Sequence, residues 1–178
     1  QDILYNSNHN HNTQSGWATD PDGLSYTLNH RKPATFNNGF VVYAKDTERE
    51  ASEKIVYTLW KYNVAPGTLV YHWGHWIVTR GVSTDVEPTP GTTYAINGFN
   101  INNPWPPSPS FYNPAGAPPP PHSGTCGCGT GGDRGIANEY VPYDTTWKDT
   151  YMVGFTMSAG TWFNKFVNVC DPEVPKFG

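Results

Sequence analysis

Charge is scarce in this chain. Only 15% of its 178 residues are Asp, Glu, Lys or Arg, and 15 acidic against 11 basic side chains leave a formal net charge of -4. That balance offers no basic face for a phosphate backbone, which argues against nucleic acid as a partner. Long apolar runs are lacking as well. Nothing approaches the roughly 18 consecutive apolar residues that cross a bilayer, so no membrane span is expected. The start carries no Met, no basic n-region and no apolar h-region, and the reading is that the chain begins after a cleavage or truncation. Cysteine is limited to three residues, Cys126, Cys128 and Cys170, so an odd thiol is left within the chain or pairs outside it.

What is abundant is aromatic and turn-forming. Aromatics make up 15% of the residues, beside 18 Gly and 17 Pro, a composition of loops and ring packing rather than solvated amphipathic helices. The length fits one domain, 1–178, with a core of its own. The first sixteen residues, rich in Asn, His and Ser, read as an irregular arm. Asp20-Pro21-Asp22-Gly23-Leu24 joins a capping acid to a proline at a first helical position, and with Leu28 four residues after Leu24 it predicts a short helix over about 20–30. Phe40 to Tyr43 reads as a strand. Thr47 with Glu50 three residues on is a capping box, and Ala51, Ile55, Val56 and Leu59 then line one face of the clearest helix.

Two aromatic and β-branched runs, Thr68 to Trp73 and His75 to Arg80, meet at Gly74 as paired strands or as one bulged strand. A further strand is expected over Tyr94 to Phe99, a short helix over Asp144 to Met152 with Trp147 and Tyr151 four apart, and a last strand over Phe163 to Cys170. Between them, 104–132 is a Pro, Gly and Ser segment that includes Pro118 to Pro121. It cannot supply ladder donors, and reads as an ordered surface flap carrying Trp105, Phe111 and Tyr112.

The chemistry-bearing segment is Tyr71-His72-Trp73-Gly74-His75-Trp76-Ile77-Val78, followed by Ile101-Asn102-Asn103-Pro104-Trp105. A histidine entering an apolar strand, then an Asx-Pro-Trp closing the next, resembles the papain-like cysteine peptidases of the bacterial, bacteriocin-leader-processing (double-glycine) type. The segment from Ser15 to Asn29, with its Trp-Ala-Thr-Asp-Pro-Asp-Gly-Leu core, is similar to the family stretch upstream of the histidine, so the likeness spans Ser15 to Trp105. It implies an α+β papain-like fold, with N-terminal helices packed on an antiparallel β-sheet, secreted and without cofactor. It implies catalytic roles for His75 as general base and Asn103 as the amide that orients it, with a peptide or protein as substrate or partner.

The chemistry is consistent with those roles. An imidazole with an ordinary pKa near 6.5 deprotonates a thiol and later protonates a leaving amine near neutral pH. An asparagine carbonyl on one ring nitrogen fixes the tautomer and directs the other at sulfur. Trp76 and Trp105 are expected to shield the pair from water.

The pattern is broken at the nucleophile, since no cysteine occurs before Cys126. Ser15, after Gln14, is a poor substitute, because a neutral hydroxyl is ill matched to a Cys-His site. The expectation is a cysteine on a preceding helix that was cleaved off or sits on a separate N-terminal fragment, leaving this chain inactive by itself. The alternative is a non-catalytic extracellular binding or assembly module on the same fold, using the proline-rich flap for contacts.

Blander readings win elsewhere. His72 reads as structural, and His9 and His11 as part of the irregular arm, because no acidic or thiol ligand stands at metal spacing. Cys126-Gly127-Cys128 lacks the CxxC spacing, and a disulfide from Cys126 or Cys128 to Cys170 is expected. Gly129 to Gly135 has no following Lys-Ser/Thr and no preceding strand, so it is no phosphate loop. Its Asp133 and Arg134 read as an ion-paired anchor. Asp85 and Glu87 read as solvated turn residues, and nothing supports paired-carboxylate glycosidase chemistry.

Overall fold

The computed structural model describes residues 19–35, 39–71, 75–103, 136–153 and 161–171. The first helix, α1 (Pro21–Arg31), starts where the sequence says it should: the buried Asp20 carboxylate accepts from the Gly23 N–H at 2.7 Å, and Pro21 loses no hydrogen bond in the first turn. His30 and Arg31 in its last turn complement the negative end of the helix dipole. Asn29 then clamps the chain that follows, accepting from Phe40 N–H and donating to Phe40 C=O, both at 2.7 Å. Both backbone groups of Phe40 are thereby satisfied just before strand β1 (Val41–Lys45).

Helix α2 (Glu48–Tyr62) begins at Thr47, whose hydroxyl accepts from Glu50 N–H at 3.3 Å and donates to the Glu50 carboxylate at 2.8 Å. The carboxylate closes on the hydroxyl rather than on the Thr47 N–H of the standard box. Asn63 ends the helix in the left-handed region, φ +51°, with its N–H on Leu59 C=O. Ala51, Ile55 and Val56 are fully buried on the sheet-facing side.

Strand β1 is followed in the chain by β2 (Gly67–Val70), β3 (His75–Thr84), β4 (Ile96–Asn103), β5 (Ile136–Pro142) and β6 (Phe166–Cys170), and among the described residues these six form one sheet, all paired antiparallel, in the order β1-β6-β2-β3-β4-β5. The two runs flanking Gly74 are therefore paired strands, with Thr68 opposite Ile77 and Val70 opposite His75. Strand β5 was not anticipated. It lies at the sheet edge, and Ala137, Asn138 and Tyr140 are exposed, so its short sequence shows no apolar alternation. The architecture is α+β with a fully antiparallel sheet.

Alternation along the strands sends neighbours to opposite faces. On one face Ile77, Phe99 and Ile101 pack with α2 and with a π-helix, Tyr143–Tyr151. On the other, Trp76, Val42 and Val169 pack with Leu24 and Leu28 of α1. The expected helix at 144–152 thus forms with a wider turn: Met152 N–H reaches Trp147 C=O, five residues back, at 2.7 Å. Trp147, fully buried against Phe99, donates its indole N–H to Ser52 Oγ of α2 at 2.9 Å.

One polar cluster is sealed inside. Lys54 of α2 pairs with Asp171, just past β6, at 3.1 Å, both with no exposure, and Thr58 donates to the second Asp171 oxygen at 2.5 Å. Tyr43 and Tyr57 place their rings about the ammonium. Among the described residues no helix is long and apolar enough to cross a membrane. The flap at 104–132, the His9 and His11 arm, Ser15, His72, Trp105, Cys126, Cys128, Asp133 and Arg134 lie outside the described residues.

Candidate functional site

His75 opens β3 and Asn103 closes β4. Val78 is opposite Asn102, which sets Ile77 level with Asn103 and leaves His75 on the diagonal of the same face. Diagonal neighbours on adjoining strands are within reach of long side chains. Here the His75 ring meets the Asn103 amide at 2.7 Å between Nε2 and Oδ1, with the two residues only 6% and 1% exposed. A carboxamide oxygen can only accept, so the proton of the neutral ring sits on Nε2 and the lone pair on Nδ1. The bond selects one tautomer and fixes the ring plane.

Burial, opposed only in part by the bond from Asn103, lowers the His75 pKa to about 4. The expectation of a ring titrating near neutrality is thereby corrected: this imidazole is neutral at physiological pH because a charged ring would lose its hydration among apolar neighbours.

The shielding assigned to Trp76 is corrected too. As the strand neighbour of His75 it points to the opposite face, where its indole N–H donates to Thr19 C=O at 3.0 Å and its ring packs with Leu24, Phe40 and Leu69. The aromatic ring beside the imidazole is instead Tyr71, at 6.3 Å between centroids and 21° from parallel. Tyr71 rests in turn on Tyr151 at the end of the π-helix, 4.9 Å away. Tyr151 Oη donates to Glu139 of β5 at a long 3.5 Å. Tyr71 went unrecognised in the sequence because its role depends on the short β2–β3 connection. Once Val70 is set opposite His75, the residue after Val70 must turn beside the histidine.

Cys170 is the only cysteine among the described residues, and it is a free, fully buried thiol rather than half of a disulfide. It lies beneath α2 next to Thr58 and the Lys54–Asp171 pair, and burial pushes its pKa up to about 12. A bridge would have to bring a second sulfur into that packed interior. Nor does Cys170 face His75. Val169 is opposite Gly67 and Gly67 opposite Val78, so Cys170 is level with Thr79, roughly 13 Å along the sheet and about 10 Å across it from the histidine. It cannot serve as nucleophile.

Among the described residues no group of three or more His, Cys, Asp or Glu side chains could hold a metal ion. Asp85 is exposed, as expected, yet it is not merely solvated: its carboxylate accepts from Ala95 N–H at 2.7 Å and pins the β3–β4 connection. No family model, curated protein or solved structure matches this chain.

Proposed function

We propose that this chain is the histidine- and asparagine-bearing part of a secreted, papain-like cysteine peptidase. The observation that carries the reading is the buried 2.7 Å contact from His75 Nε2 to Asn103 Oδ1 at the paired ends of two antiparallel strands. In this reading Nδ1 takes the proton of a thiol, and the thiolate attacks a peptide carbonyl to form a C–S bond. The C–N bond then breaks as the imidazolium returns its proton to the leaving amine, and water hydrolyses the thioester.

Magnitudes decide where that thiol must be. Moving a proton from an ordinary thiol, pKa near 8.5, to a ring with a pKa of about 4 is uphill by about 6 kcal/mol. An ion pair at about 4 Å in an environment of intermediate dielectric returns about 4 kcal/mol. The sulfur therefore has to sit directly against the ring, in the same dry pocket, with further help from a helix N-terminus or oxyanion donors. Cys170 satisfies none of these conditions, and the reading assigns the nucleophile to a cysteine on another segment or chain.

An electrophilic peptide probe applied to the natural assembly tests this. Labelling of a cysteine that disappears in His75→Ala and falls sharply in Asn103→Ala supports the peptidase. Labelling that ignores both changes, or no labelling at all, removes it. A second reading, a non-catalytic binding or assembly module, is favoured by one observation: the sole described cysteine is buried and inert.

A further inference from the structure

Tyr71 combines features that packing alone does not require. It is a bulky residue with φ at +54°, a region that L side chains enter at a steric cost. It is 1% exposed, its N–H is tied to Tyr151 C=O at 2.9 Å, and its ring lies nearly parallel to the imidazole of His75. Strain of this kind persists only where the surroundings over-determine it. Here the surroundings are the π-helix terminus, itself an unusual element often found beside functional sites. The left-handed turn at the end of β2 redirects the ring back over β3. In an extended conformation a residue at this position would carry on along β2, away from the histidine.

We propose that Tyr71 is a positioning residue for His75: held by Tyr151 in a left-handed turn, it forms the wall that fixes the imidazole plane against Asn103 and keeps water from that side of the ring. The wall sets the basicity of His75, because the dominant cause of the lowered pKa is burial. The titratable groups that neighbouring elements bring to this side of the sheet include Tyr143 and Tyr151 of the π-helix, Glu139 of β5, joined to Tyr151 at 3.5 Å, Tyr94 ahead of β4, Glu48, Lys54 and Tyr57 on α2, and Cys170 of β6. Lys54 is neutralised by Asp171, and Glu48 is held by Ser52 and the Tyr143 hydroxyl. The causes of the His75 shift are burial and the Asn103 bond, with no charged neighbour among them.

The significance of the wall for catalysis rests on reading His75 as the base, but its test does not. His75 is titrated by NMR in the chain itself, with no thiol supplied. In Tyr71→Phe the ring is retained and the pKa should stay at about 4. In Tyr71→Asn the left-handed backbone is kept, since Asn tolerates it, but the ring is lost, and the pKa should climb by about one pH unit or more toward 6.5. An unchanged pKa in a folded Tyr71→Asn overturns the proposal. If that variant does not fold, the unaltered protein decides: the Nε2 proton should be seen as a protected, slowly exchanging resonance at neutral pH. Immediate exchange with solvent would show that no wall is present. Absent probe labelling with an intact titration result would refute the peptidase alone.

Discussion

Acid should weaken this fold through one residue, by an amount that the structure sets. His75 takes up a proton near 6.5 in the unfolded chain but only at about 4 in the folded one. Between those values the unfolded state binds more protons, so stability rises with pH. The contribution of His75 is complete above pH 6.5. It is lost as pH falls toward 4, and levels off below that, where both states are protonated. The gap of about 2.5 pH units corresponds to about 3 kcal/mol, a sizeable part of the 5–15 kcal/mol that holds typical domains together. The ring is 6% exposed, so solvent screening takes little from this figure. Other groups titrate in the same range; Glu48, whose burial raises its pKa, acts in the opposite sense. The measurement is therefore a difference. Urea unfolding of the native protein and of His75→Gln is followed from pH 7.5 to 4, and the gap between the two free energies is plotted against pH. It should change by about 3 kcal/mol in favour of the variant as the solution is acidified. A flat difference would refute the buried, neutral imidazole and with it the geometry assigned to the site.

Two further outcomes follow from the sealed interior. Lys54→Met leaves Asp171 buried without its cation and should cost about 3–5 kcal/mol in urea unfolding, whereas adding Asp171→Leu to it should recover much of the loss; equal damage in the single and double variants would show that the loss does not come from an uncompensated buried charge. Cys170 should resist a water-soluble thiol reagent in the native protein and react only at the rate of unfolding, because its thiol is fully buried with its pKa pushed up to about 12. Peptide mapping that instead finds Cys170 bridged to Cys126 or Cys128 would restore the disulfide expected from the cysteine count.

Local signals were read well where they act within one element. Thr47 and Glu50 start α2, and Asp20 with Pro21 starts α1, because a cap needs only its own turn. The widened turn at Tyr143–Tyr151 was not legible, since Trp147 and Tyr151 stand four apart in either helix form and the choice is made by packing on Phe99 and Ser52. Strand β5 was missed because an edge strand need not alternate. The misplacement of Trp76 could have been avoided from sequence alone: adjacent strand residues point to opposite faces, so a tryptophan next to a core-facing histidine cannot cover it. Cysteine number carried no information on depth, and Cys170 is beneath a helix rather than at a surface where a bridge forms easily.

Two of the buried polar pairs among the described residues differ in what they accomplish. Lys54 and Asp171 bind a helix to the end of a strand, with Thr58 and two aromatic rings completing the enclosure. Their arrangement is accounted for as a tether. His75 and Asn103 stand on adjoining strands already held by the backbone ladder between Val78 and Asn102, so a tether there is redundant. A pair of apolar side chains of similar volume would hold the same strands without the acid sensitivity and without burying two polar groups. What the imidazole and carboxamide add to the fold is a single tautomer, with the lone pair directed through Nδ1. Stability does not call for a fixed tautomer, and the proposed proton transfer does, despite the cost that the lowered pKa adds to it.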